Sequence, residues 1–134
     1  MHQVFIYLLF NGACAEAMHF YERLFGGQLQ MTSAGESPMA AQLPASRAHL
    51  VIHARLKFDG NTLMASDWMA PQPYPGIHGM RVMLSLTDVE RTTQVFAALA
   101  EQGTVEEPLR KTPFARSYGT LTDRFGVPWQ VMVE

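Results

Sequence analysis

One order of elements occurs twice along this chain, and no other feature restricts its fold as much. In the first half an apolar strand, Phe5 to Phe10, reaches a turn at Asn11-Gly12 and then a helix from about Ala15 to Phe25. Ala17, Phe20, Tyr21, Leu24 and Phe25 recur at three-and-four spacing, one stripe of an amphipathic helix. Gly26-Gly27 supply the left-handed stop. The second half repeats the plan with a strand from Met80 to Leu86, then Thr87 and Glu90 at capping-box spacing. Its helix runs to about Gln102, with Val95, Phe96, Leu99 and Ala100 on the apolar stripe, and stops at Gly103.

The two halves also close alike. From His49 to Phe58, Leu50, Ile52, Ala54, Leu56 and Phe58 alternate with Val51, His53, Arg55 and Lys57. That period of two marks a strand with one buried face. Asp59-Gly60-Asn61 turns it into a second strand, Thr62 to Ser66. Tyr118 to Thr122, the turn Asp123 to Gly126, and Val127 to Val133 repeat this hairpin. Aligning Gly60 with Gly126 sets Leu63 on Trp129 and Met64 on Gln130. Gln28 to Thr32 and Thr104 to Glu107 are expected to add one short strand to each half. The fold class is therefore α+β, two tandem βαβββ modules within one domain spanning 1–134. Module one is 1–68 and module two is 80–134. In the linker, 69–79, Pro71, Pro73, Pro75 and Gly76 exclude helix and interior strand. Ala34 to Ser46, holding Gly35, Pro38 and Pro44, reads as a loop over a pocket mouth.

Composition sets the outer limits. A chain of 134 residues, 48% of them hydrophobic, buries a core without staples. A net charge of −2 with no basic stripe predicts neither nucleic acid nor a membrane surface as partner. The single cysteine, Cys14, makes no internal disulfide and suits a reducing cytoplasm. The apolar run Val4 to Phe10 follows Met1-His2-Gln3, without Lys or Arg, and falls far short of the ~20 residues of a membrane span. The run is read as a buried strand, and the protein as soluble, cytoplasmic and unprocessed.

Several stretches carry a family likeness. Tyr7-Leu8-Leu9-Phe10-Asn11-Gly12, Glu16-Ala17, Phe20-Tyr21 and Phe25-Gly26-Gly27 resemble the opening of PhnB-like proteins. Ile52-His53-Ala54, Ser66-Asp67 and the run Tyr118 to Trp129 agree as well, in the same order. PhnB-like proteins are a branch of the vicinal oxygen chelate superfamily, with glyoxalase I, bleomycin-resistance proteins and extradiol dioxygenases. The resemblance implies a glyoxalase-like fold, in which the curved mixed sheets of two modules surround a shared cup for a small ligand. It also implies a homodimer. Metal-dependent members hold a divalent ion through His, Gln and Glu, one from the first and one from the last strand of each module. Carried over, those positions fall on Ile6 or Tyr7, on Met64, on Arg81 and on Gln130. Of these Gln130 alone suits a hard or borderline ion, since Met64 is soft and Arg81 is a permanent cation. No metal site and no cofactor are expected.

His53 is the leading candidate for chemistry, as a general base or as a hydrogen-bonding group on the polar strand face. The plain alternative is a strand histidine bonded to Asp67 or to a backbone carbonyl. Asp67 either orients that imidazole as a second catalytic residue or, with Ser66, caps the turn into the linker. Tyr7, Met64, Ser66, Arg81 and Gln130 are candidate ligand contacts, with Trp129 in the core behind Gln130. Phe114, Arg116 and Tyr118 lie in or beside a loop, Thr112 to Ser117, whose aromatic and guanidinium groups suit an anionic or planar ligand. Cys14 reads as a small apolar helix residue.

Phosphate loops, HExxH, paired CxxC and GxSxG are absent. Proteins of this branch are sometimes labelled ubiquinone-pathway methyltransferases, but no glycine-rich nucleotide loop links a strand to a helix here. The expected function is a small-molecule binder whose cup lies between its modules and lacks the family metal. The alternative is a metal-dependent or His53-based lyase, isomerase or transferase. A scaffold whose role is dimerisation is the third possibility.

Overall fold

In the computed structural model, which describes residues 1–134, the repeated order becomes two units, Met1–Gly76 and Ile77–Glu134. Their division falls inside the proline-rich linker. The first unit holds β1 (Ile6–Phe10), α1 (Cys14–Phe25), β2 (Gln28–Ser33), β3 (Val51–Phe58) and β4 (Asn61–Asp67). Its sheet runs β1-β4-β3-β2, with β1 parallel to β4 and the other pairs antiparallel. The second unit holds β5 (Val82–Leu86), α2 (Val89–Ala100), β6 (Thr104–Thr112), β7 (Ala115–Thr122) and β8 (Pro128–Val133). Its order, β5-β8-β7-β6, has the same directions. These are two βαβββ modules with mixed sheets, the expected α+β class.

Register carries the duplication to the single residue where β1 pairs with β4 and β5 with β8. Tyr7 pairs with Met64 as Met83 pairs with Gln130, and Ile6 pairs with Leu63 as Val82 pairs with Trp129. Met64 and Gln130 are therefore equivalent positions, as the turn glycines predict.

Alternation then decides what each sheet buries. In the first unit Leu8, Phe10, Ala54, Leu56, Leu63 and Ala65 are buried with Ala17, Met18 and Tyr21 of α1. Phe25 of the helix stacks on Phe58 of β3, ring centroids 4.9 Å apart. In the second unit Val82, Leu121, Trp129, Val131 and Val133 are buried with Thr92, Val95, Phe96 and Leu99 of α2. Each large side chain removed from water contributes roughly 1.5–3 kcal/mol. These faces are the cores. The alternate residues, on the other face of each sheet, lie away from the helix.

Four local expectations change. The cap of α2 is Asp88, whose carboxylate accepts from Glu90 N–H at 3.0 Å, not Thr87. A charged oxygen one residue nearer the helix is the stronger acceptor. A capping box forms elsewhere, between Ser33 and Glu36. The segment from Ala34 to Ser46 is not plain loop but carries three 3-10 turns, Ala34–Glu36, Pro38–Gln42 and Ala45–Arg47. Strand β6 continues past Glu107 to Thr112, with shifted register on either side of Pro108, which has no N–H to give the ladder. Thr112 to Ser117 is consequently a tight strand connection rather than a loop, and Arg116 lies within β7.

The start of the linker lies along β1, the edge of its sheet. Trp68 N–H donates to Phe10 O at 2.6 Å and Tyr74 Oη donates to Leu9 O at 2.6 Å. Those bonds occupy carbonyls that a free edge would present to another chain.

Candidate functional site

The uncovered face of the first sheet gathers four of the residues singled out above. Tyr7 on β1 and His53 on β3 approach over the intervening β4, with Tyr7 Oη 3.4 Å from His53 Nδ1 and ring centroids 6.0 Å apart. Met64 and Ser66 of β4, on the same face, are 7% and 9% exposed. His53 is thus beside a phenol and above a hydroxyl and a thioether.

Asp67 is on the opposite face and does not pair with His53. It sits in register with Phe10 and shares its side of β4 with Leu63 and Ala65, toward α1. Its Oδ1 accepts from Cys14 N–H at 3.0 Å and its Oδ2 from Val51 N–H at 2.8 Å. The carboxylate, 4% exposed, ties the first turn of α1 to the start of β3. The expected base-and-orienter pair is replaced by a structural clamp, because residues of opposite strand parity face opposite sides. Burial first, and then the charge of Asp67, push the Cys14 thiol up to about 12, which makes it a packing residue rather than a nucleophile.

In the second unit an open hollow of about 510 Å³ is lined by His78, Arg81, Thr122, Pro128 and Gln130, among others. Arg81 Nη1 donates to Glu106 Oε1 at 3.1 Å, to Leu121 O at 3.3 Å and to Trp129 O at 3.4 Å. The other oxygen of Glu106 accepts from Thr122 Oγ1 at 2.8 Å. Gln130 Oε1 accepts from Tyr118 Oη at 2.6 Å, and Phe114, largely exposed, meets Tyr118 edge-on at 5.2 Å. Arg116 donates from Nε to Glu134 O at 2.8 Å and from Nη2 to Thr87 O at 3.1 Å. Its guanidinium joins the chain just beyond β8 to the chain just beyond β5, instead of standing at a loop rim.

The residues at the family's ion-binding positions do not fit a divalent cation. Ile6 has the parity of the buried Leu8 and Phe10, so the β1 position on the uncovered face is Tyr7. Its match in β5 is Met83, two residues after Arg81. A phenol, two thioethers, a guanidinium bound to a carboxylate and an amide whose oxygen already accepts a bond do not form a His, Gln and Glu ligand set. No group of three or more His, Cys, Asp or Glu side chains converges in a way that would hold an ion.

Sequence reasoning passed over Arg55, Lys57 and Glu106. For the first two the signal was present, since they alternate with Ala54 and Leu56 and share a face with His53. Glu106 gave none. Its partner Arg81 lies far away in the chain and meets it through the irregular pairing of β6.

Comparison with known proteins agrees with this geometry. The model of a family described as 3-demethylubiquinone-9 3-methyltransferase matches residues 2–132. Protein YjdN of Escherichia coli (strain K12) is 33% identical over 136 residues, covering 95% of this chain and 92% of that protein. Protein PA1353 from Pseudomonas aeruginosa superposes with a TM-score of 0.92 at 41% identity, over 100% of this chain and 98% of its own. A Bacillus cereus PhnB protein, described as a putative 3-demethylubiquinone-9 3-methyltransferase, gives 0.82 at 27% identity, over 99% and 100% of the two chains. A glyoxalase-related enzyme from Fulvimarina pelagi shares the fold alone, with a TM-score of 0.62 at 16% identity over 100% of this chain and 89% of its own. Matched nearly end to end by the family model and by a PhnB protein, with the duplicated modules and register described above, the chain belongs to the PhnB-like branch of the vicinal oxygen chelate superfamily.

Proposed function

We propose that this PhnB-like protein binds a small molecule against the sheet faces that its two helices leave uncovered, and that it does so without a divalent ion. The observation that carries this reading is Arg81. Its guanidinium is a cation two residues from Met83, the β5 match of Tyr7, so it disfavours a divalent ion beside that position, and Glu106 and two carbonyls hold it in place. The faces turned away from the helices offer what a small-ligand surface needs: apolar area from Met83 and the ring of Tyr7, both 46% exposed, with sparse polar groups from His53 and Gln130. In this reading His53 is a hydrogen-bonding contact for the ligand, and Asp67 is no part of the site.

Binding is favoured over the methyl transfer in the family's description. Asn11-Gly12-Ala13 precedes α1 and Ser85 to Asp88 precedes α2, and neither is the glycine-rich turn that cradles a nucleotide-like cofactor. We further propose that the chain acts as a homodimer in a reducing compartment, as its single cysteine and its family suggest.

The test is elemental analysis of protein purified without chelator, followed by thermal melts with zinc, nickel and manganese salts. The expected result is substoichiometric metal and an unchanged Tm. One retained equivalent, or a concentration-dependent rise of several degrees, overturns the reading, since a ligand that binds only the native state stabilises it by RT ln(1 + [L]/Kd).

A further inference from the structure

The uncovered face of the first sheet is electrostatically one-sided. His53, Arg55 and Lys57 follow one another along β3 on that face. Their neighbours across β2 are Thr32, Gln30 and Gln28, and across β4 Arg55 and Lys57 face Met64 and Thr62. Tyr7 and Leu9 complete it from β1. None of these residues is an acid. The carboxylates nearest in sequence, Asp59 and Asp67, sit in the hairpin turn and on the opposite face respectively. Neither Arg55 nor Lys57 takes part in an ion pair, in contrast to Arg81 with Glu106, so the two have no counter-charge. Arg55 is also half-buried. The two cations are separated by about 7 Å of strand, close enough to repel.

Folding does not demand this arrangement. Through the shared register, Arg55 opposite Met64 corresponds to Thr120 opposite Gln130, and Lys57 opposite Thr62 corresponds to Thr122 opposite Pro128. His53 corresponds to Tyr118. The second unit builds the same sheet with uncharged side chains where the first carries its cations. A half-buried guanidinium without a carboxylate, beside a lysine and a row of hydrogen-bond donors, is what an anion recognises. We propose that the uncovered face of the first unit binds the oxyanion of a small molecule, a carboxylate or a phosphoryl-type group. Arg55 is its charge anchor, with Lys57, Gln30, His53 and Tyr7 as the surrounding polar contacts. The proposal deepens the binding function given above and rests on it.

The experiment is a two-dimensional amide NMR titration of the metal-free full-length protein at constant ionic strength. The probes are inorganic phosphate, acetate and uncharged acetamide, with sodium chloride as the reference. The expected result is saturable shifts of amides within Val51–Phe58 with phosphate or acetate and none with acetamide. Arg55→Gln is expected to weaken that binding tenfold or more with an unchanged Tm, and Lys57→Gln to weaken it less. The tighter anion identifies the group as phosphoryl or carboxylate. Shifts equal to those of chloride, or undiminished in Arg55→Gln, overturn the proposal. Saturable binding of acetamide on this face with both anions inactive overturns the oxyanion assignment but leaves the binding function standing. Binding of any probe that appears only after zinc is added overturns the binding function itself.

Discussion

Asp67 shows how one residue on the far side of a sheet sets the geometry of the near side. Both its oxygens serve buried backbone donors, Cys14 N–H and Val51 N–H, so it fixes where α1 begins and where β3 enters the sheet. The register of His53 and Arg55 follows from that entry. Asp67→Ala leaves two buried N–H groups without partners and is expected to cost roughly 2–4 kcal/mol, read from the midpoint of urea unfolding. A milder effect comes from Glu36. Hydrogen bonds from the Ser33 hydroxyl first and the Ser33 amide second hold its carboxyl below the usual carboxylate range. The lowered value in the fold means the capping box contributes above the ordinary carboxylate pKa and is lost as pH falls through the depressed one. The Ser33 amide resonance is expected to move to its unbonded position in that acid window, and to sit there at all pH values in Glu36→Ala.

At the scale of elements, the tight junction of α1 with β3 tolerates little change. Gly27 has φ of 91°, and a Cβ there would collide with the carbonyl oxygen of Lys57. Gly60, in the β3–β4 turn, has φ of 78° but open space around it. Gly60→Ala therefore meets only backbone strain and is expected to cost about 1 kcal/mol, whereas Gly27→Ala also displaces a strand and is expected to cost roughly 3 kcal/mol or more. Chemical denaturation of the two variants side by side checks the order. The strands themselves were readable from alternation, as with Leu56 and Phe58 inward and Arg55 and Lys57 outward. The length of β6 was not, because Pro108 reads as a strand stop while an irregular edge strand accommodates it.

Across the whole molecule, one fold plan carries two different surfaces. The first unit leaves Arg55 and Lys57 without counter-charges, while the second neutralises Arg81 with Glu106. The homodimer proposed above belongs to this scale, and sedimentation equilibrium is expected to give twice the 15.0 kDa chain mass. A mass of 15.0 kDa at micromolar concentration would remove the dimer from the proposal.

The amino-acid sequence by itself determined the elements, their duplication and the two faces of each strand, because periodicity, turn glycines and caps act within a few residues. It carried the equivalence of Met64 with Gln130 and the side of the sheet on which His53 lies. Tertiary structure alone decided partners. Asp67 took Cys14 and Val51 rather than His53, His53 took Tyr7, and Arg81 took Glu106 from a strand with shifted register. Such choices depend on which strand edges meet and at what offset, a long-range outcome of packing that no local pattern of residues encodes.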